Sequence, residues 1–225
     1  MHTPKNKTFI YIYLSGKRMF KKLLSLDEER KDKIINAGLK EFASKTYEEA
    51  STNNIAKESG ISKALMFHYV HTKKDFFIFL LDYCFKHIKK NYIDLIDYSE
   101  RDLFERIKKL TYLKVDVIKH HPLIFEFMKN AFLLQDKELK LEVDKRKKKI
   151  ELNVIKRIFY ENVDDSMFRK NLDISKSKEL IHFMLEGYST KLRDSVPSDF
   201  LKFNFKNMMI DFDEYVEEMK KIFYK

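Results

Sequence analysis

Residues 58–77 read ESGISKALMFHYVHTKKDFF, and no other stretch constrains the fold as much. A helical pattern stops at Gly60, restarts at Lys63 and stops again before Thr72. A helix that short is not stable alone in water, where isolated helices under about 12–15 residues are marginal. It must be held by its neighbours, and it must exist for what it presents. Gly60 suits the left-handed residue that closes a helix, because it has no Cβ to strain there. Ser62 can accept a hydrogen bond from a first-turn amide and cap the restart. Thr72 and Asp75 have the spacing of a capping box, so Thr72 ends one helix by starting the next.

On the restarted helix, about 63–70, Met66 and Val70 share one side, while Lys63, Ala64, Phe67, His68 and His71 point the other way. Upstream, Ile34, Ile35, Gly38, Leu39 and Phe42 recur at spacings of three and four, which predicts an amphipathic helix within 27–45. Tyr47 follows in a short connection, and Ser51 or Thr52 offers an N-cap for a second short helix. Ile55, Ala56 and Ser59 line one face of that helix, and small Ala56 permits a close crossing. Two short helices around a Gly turn, with a polar outward face, read as a helix-turn-helix over about 51–70. Its second helix is the one suited to a DNA major groove.

The rest of the chain is long, aromatic and helical in pattern. With 4 Gly and 3 Pro in 225 residues, breakers are scarce, and straight-chain charged residues are abundant, as in all-α proteins. Helices are predicted over about 76–96, 101–119, from Pro122, 137–161, 174–194 and 199–223, with a loop near 164–173 and a break at Pro197. Ile181, Met184, Leu185, Tyr188 and Leu192 form a stripe on the first of the last two helices. Phe205, Met208, Met209, Phe212, Val216, Met219 and Phe223 do so on the second.

The net charge of +10 points to anionic partners, nucleic acid or a membrane surface. Its placement is uneven: residues 1–26 hold six Lys/Arg and no acid, whereas 27–75 hold nine of each. Residues 1–26 therefore read as a basic, flexible arm, although a chain that starts at Met19 accounts for the first residues equally well. The run Phe9–Leu14 is too short to span a bilayer, which takes about 20 apolar residues. A lone cysteine, Cys84, builds neither an internal disulfide nor a thiolate zinc site, which fits a cytoplasmic protein.

From about Lys31 to Leu80 the sequence resembles the TetR family of transcriptional regulators. The likeness rests on Ile34-Ile35, Phe42, Tyr47, Ser51-Thr52, Ile55-Ala56, Gly60-Ile61-Ser62-Lys63, Met66-Phe67-His68-Tyr69 and Thr72-Lys73. The chain departs from the family's pattern at Thr46, Ala64 and Val70, and at Phe67, where the family's Tyr often donates its hydroxyl to a DNA phosphate. The resemblance implies an N-terminal three-helix helix-turn-helix DNA-binding domain, 27–75, followed by a larger helical effector-binding and dimerisation domain, 76–225. It also implies a ligand-responsive regulator, most simply a repressor. Such a protein binds a near-palindromic operator as a homodimer, through about 174–194 and 199–223, and is released by a small molecule.

The residues expected at DNA follow from that face: Ser51, Thr52, Ser62, Lys63, Ala64, Leu65, Phe67, His68, Tyr69 and Lys73. Ser51, Thr52 and Lys73 lie near helix N-termini, which suit phosphate oxygens. Ala64 or Leu65 suits a thymine methyl, and Lys63 a guanine edge or a phosphate. For the effector, Tyr83, His87, Phe125, Glu126, Phe132 and Phe183 are candidates, because ligand sites are mostly apolar with a few polar groups. Glu126, within an apolar run, either turns outward to solvent or a Lys, or supplies a counter-charge. The aromatic residues of this set are equally suited to a core.

No catalytic or metal role is assigned. The pairs His68/His71 and Cys84/His87 fall short of the three or four ligands a zinc site needs, and His120-His121 reads as a helix boundary. No phosphate-binding Gly-rich loop, nucleophile elbow or HExxH is present, and no cofactor is expected. The rival reading is a helical membrane-surface or scaffolding protein, which leaves the Gly60 interruption without a purpose.

Overall fold

The computed structural model describes residues 20–195 and 202–225, without the side chains of 149–152 and 193–194. Residues 1–19 of the expected arm, the expected break at Pro197 and the expected helix start at 199 lie outside the described residues. Among the described residues the fold is all-α. Its helices are α1 (Lys21–Leu24), α2 (Glu28–Ser44), α3 (Thr52–Glu58), α4 (Lys63–Val70), α5 (Lys73–Asn91), α6 (Leu103–His120), α7 (Pro122–Phe132), α8 (Lys137–Tyr160), α9 (Ile174–Ser195) and α10 (Phe205–Phe223). Short 3-10 turns occupy Ile93–Leu95 and Asp165–Met167, and a single isolated bridge pairs Phe168 with Tyr224. The helix expected over 76–96 is α5, which starts at Lys73 and gives way after Asn91. The last helix begins at Phe205, where Asn204 accepts the Asn207 amide at 3.1 Å.

The described residues divide into two compact units. The first takes the residues up to Lys86 together with Leu123–Val143, and the second takes His87–Pro122 and Asp144–Lys225. In the first unit the predicted stripe of α2 is the core: Ile34, Ile35, Leu39 and Phe42 are buried with Ile55, Met66, Val70, Phe76 and Leu80. Helix α2 approaches α5 so closely that Gly38 has no room for a side chain. A Cβ there would lie 2.5 Å from the Phe76 ring. Phe42, Tyr47, Phe77 and Phe127 pack as a ring cluster, with Phe77 and Phe127 centroids 5.2 Å apart. Asn130 of α7 donates to the carbonyls of Phe42 (3.2 Å) and Ala43 (2.6 Å) at the end of α2.

Residues 20–26, part of the expected arm, are placed. Phe20 and Leu23 are buried, and the Phe20 ring lies 4.6 Å from Phe79 and 5.9 Å from His71. In the second unit α10 packs on α6 with the stripe predicted for it: Phe205, Met208, Met209, Phe212, Val216, Met219 and Phe223 are all buried. The side chain of Tyr188 on α9 donates to Asp211 of α10 at 3.0 Å. Of the stripe predicted for α9, Ile181 is buried but Met184 is exposed; Leu180 and Phe183 on α9, and Ile210, Tyr215 and Ile222 on α10, are exposed as well.

Candidate nucleic-acid interface

The punctuation of the opening stretch is built from hydrogen bonds. Helix α3 closes through Gly60, at φ +69°, with the Ile61 amide donating to the Ala56 carbonyl (3.0 Å) and the Gly60 amide to Lys57 (3.1 Å). This reciprocal pair is the Schellman arrangement, in which the left-handed residue reverses the chain and satisfies two orphan carbonyls. No atom lies within 4 Å of where a Gly60 Cβ would stand, so the demand for Gly is one of backbone conformation alone. Ser62 Oγ then accepts the Leu65 amide at 3.2 Å and starts α4. At the far end, Thr72 Oγ1 accepts the Asp75 amide (3.0 Å), and Asp75 accepts from the Thr72 amide (3.3 Å). The capping box is therefore complete. Between α4 and α5 stands His71, at φ +61°, a left-handed position that the sequence pattern does not reveal.

Helix α4 is two-faced. Met66 and Val70 are buried, and Ser62, Lys63, Ala64, Leu65, Phe67 and His68 are exposed. Leu65 and Phe67 are 37% and 38% exposed, so apolar groups share this face with Lys63 and His68. That mixture suits a groove in which thymine methyls and polar base edges alternate. Tyr69 is half-buried, with its ring edge-on to His68 at 5.7 Å.

The residues expected at helix N-termini are held in different ways. Ser51 and Thr52 are half-buried at the start of α3, where Ser51 makes no side-chain cap bond. Its amide donates instead to Glu41 Oε1 (2.8 Å), which also accepts from Lys45 (2.8 Å) and Asn54 (3.3 Å). Burial alone would raise the Glu41 pKa, but these donors outweigh it and hold the carboxyl below its ordinary value. Lys73 donates to the Glu48 carbonyl at 3.0 Å, and its ammonium lies 4.7 Å from the centre of the Tyr47 ring. Partial burial lowers its pKa. Lys73 thus ties α5 to the 46–50 turn.

Other cations of the motif are also engaged: Lys40 with Glu58 at 2.5 Å and Lys45 with Glu41. Lys57 and Lys63 make no ion pair among the described residues. One contact had no anticipation in the sequence. Lys22 of α1 lies 3.4 Å from Nδ1 of His68, on the exposed side of α4. Phe20 and Leu23, an apolar i, i+3 pair just before α2, were the available signal.

The effector candidates belong to both units. Tyr83, Phe125 and Glu126 are half-buried in the first unit, and Phe132 there is 40% exposed. His87 is half-buried in the second unit, its ring 4.1 Å from His121, and burial lowers the pKa of both imidazoles. Phe183, on α9, is 60% exposed. A groove of about 720 Å³ on α10, lined by residues such as Ile210, Tyr215 and Lys221, includes none of the six. Among the described residues no group of three or more His, Cys, Asp or Glu is placed to hold a metal ion. No helix among them is long and apolar enough to cross a membrane.

Comparison with known proteins agrees with this geometry. Residues 34–78 match the family model for bacterial regulatory proteins of the tetR family. None of the curated proteins compared with the chain matches it. Among solved structures, a TetR family transcriptional regulator from Chloroflexus aurantiacus is 17% identical, with a TM-score of 0.64, covering 91% of this chain and 98% of its own. FadR from Bacillus subtilis, solved with stearoyl-CoA, is 15% identical with a TM-score of 0.58, covering 84% and 96%. AibR, solved with isovaleryl coenzyme A and operator DNA, is 14% identical with a TM-score of 0.53, covering 70% and 83%. The family model thus covers the helix-turn-helix region, and the likeness of fold extends over most of the chain.

Proposed function

We infer that this chain, which carries the tetR-family DNA-binding domain over residues 34–78 on a TetR-like helical fold, is a ligand-responsive repressor. It binds a near-palindromic operator as a homodimer and is released when a small molecule binds its C-terminal domain. The observation that carries this reading is helix α4. It is eight residues long, capped at its start and anchored by Met66 and Val70, and it turns Lys63, Ala64, Leu65, Phe67 and His68 to solvent. A helix of that form has its use in a major groove, where base contacts specify and phosphate contacts position. Lys63 and His68 read base edges, with Ala64 and Leu65 against thymine methyls. Ser51, Thr52, Ser62, Phe67 and Tyr69 lie along the flanking backbone, whereas Lys73 is turned to the Glu48 carbonyl. Phe67 lacks the hydroxyl that would bond a phosphate, so it contributes packing only.

Exposed Leu180, Phe183 and Met184 on α9, with Ile210 and Ile222 on α10, supply an apolar surface for a second copy. A two-fold pair sets its recognition helices about 34–36 Å apart, one turn of DNA. Helix α5 starts at the capping box beside α4 and continues past Lys86 into the second unit. A ligand that favours a different α4 spacing therefore acts through α5, provided it binds that state more tightly. Stearoyl-CoA and isovaleryl coenzyme A, bound by two structural neighbours, are the first effector probes.

The test is capture of sheared genomic DNA at near-physiological salt with excess competitor, since basic proteins bind any DNA weakly through phosphates. One or a few near-palindromic sites are expected. Recovery of random sequence together with tight binding to anionic liposomes would overturn the reading in favour of a membrane-surface protein.

A further inference from the structure

We propose that α1, which precedes the segment matching the family model, is part of the DNA interface, with Lys21 and Lys22 as phosphate contacts beside the reading face of α4. The proposal rests on the regulator reading and adds a partner surface to it. Three observations carry it. Helix α1 is docked, because Phe20 and Leu23 are buried and the Phe20 ring packs against His71, at the end of α4, and Phe79, within α5. Lys21 and Lys22 are exposed and make no ion pair among the described residues, and Lys22 Nζ reaches within 3.4 Å of His68 Nδ1. The motif itself is short of available cations, because Lys40 and Lys45 are paired with Glu58 and Glu41 and Lys73 is spent on the Glu48 carbonyl.

A DNA-binding surface needs unpaired cations, since each phosphate it neutralises releases a counterion and the sum dominates affinity. Lys57 and Lys63 alone make a thin supply, and Phe67 adds no donor. The two lysines of α1 double it at the flank of the recognition helix.

The full-length protein is tested on a fluorescently labelled duplex recovered by the capture experiment, beside a scrambled duplex, in a salt titration read by anisotropy. Lys22→Ala is expected to weaken binding to both duplexes by a similar factor and to make the salt slope shallower by about one. Lys21→Ala/Lys22→Ala is expected to make it shallower by about two, and Lys22→Arg to retain the wild-type slope. Both lysines are exposed, so thermal melting of the variants should match the wild type. A wild type that binds the duplex, with both alanine variants matching it in affinity and slope, overturns this proposal alone. A wild type that recovers no duplex overturns the regulator reading and this proposal with it.

Discussion

Helices α3 and α8 each run into a residue at positive φ, Gly60 at +69° and Asn162 at +59°, but their last carbonyls are satisfied differently. The end of α3 is closed by its own next residues: Gly60 turns left-handed, and the amides of Gly60 and Ile61 satisfy the carbonyls of Lys57 and Ala56. The end of α8 is closed by Arg106, about fifty residues away on α6. Its Nη1 donates to the carbonyls of Ile158 (2.8 Å), Glu161 (2.7 Å) and Arg157 (3.3 Å). The remaining donors go to the carbonyls of Tyr98 and Glu100, so this guanidinium, 1% exposed, meets backbone oxygens rather than a carboxylate. Burial lowers its pKa, yet an arginine starts so high that it keeps its charge. Both devices satisfy the orphan carbonyls every helix leaves at its C-terminus. The local one needs a residue tolerant of positive φ. The distant one needs a planar fork with five donors, held in place by packing.

The comparison breaks most visibly at Arg106. Arg106→Met should leave several buried carbonyls unsatisfied and cost about 3 kcal/mol or more in urea unfolding. Arg106→Lys should recover little, because three tetrahedral donors cannot replace the fork. A loss under about 1 kcal/mol would mean that solvent replaces the guanidinium freely and that the distant cap is dispensable.

A middle-sized effect is expected at Gly38, where the constraint is steric and tertiary. Gly38→Ala sets a Cβ against the Phe76 ring and should cost about 1–3 kcal/mol, with weaker DNA binding because α2 and α5 support the motif. A fully stable variant would show that Phe76 swings aside. The smallest effect belongs to the local cap. Gly60→Ala meets open space and strains only the left-handed backbone, so a cost of about 1 kcal/mol is expected, with operator affinity nearly unchanged. If Gly60→Ala abolished binding without destabilising the protein, the turn itself would be a DNA contact.

The same contrast explains what was legible in the sequence. The core stripe of α2, the caps at Ser62 and Thr72–Asp75, the turn at Gly60 and the division of α4 into buried and exposed faces were all read correctly. Each depends on residues within about one helical turn. The Glu41 carboxylate at the start of α3, the engagement of Lys73 by the Glu48 carbonyl, and the Lys22–His68 contact were not anticipated, because each joins groups whose separation in sequence carries no periodic signal. The stripe on α10 was legible as apolar, but a stripe alone does not say whether its partner is α6 or a second chain. Its residues are buried on the inside, and the exposed apolar groups are others.

The sequence by itself determined that the chain is helical, where the two short helices start and stop, and which side of α4 is buried. Propensity, caps and the 3.6-residue period act over neighbouring residues and need no tertiary partner. Tertiary structure alone decided which lysines are available for DNA and which are tied to carboxylates or carbonyls, that α1 docks through Phe20 and Leu23, and that Arg106 closes α8. Those outcomes turn on distances between groups far apart in the chain, and charge pairing and carbonyl satisfaction are set by distance.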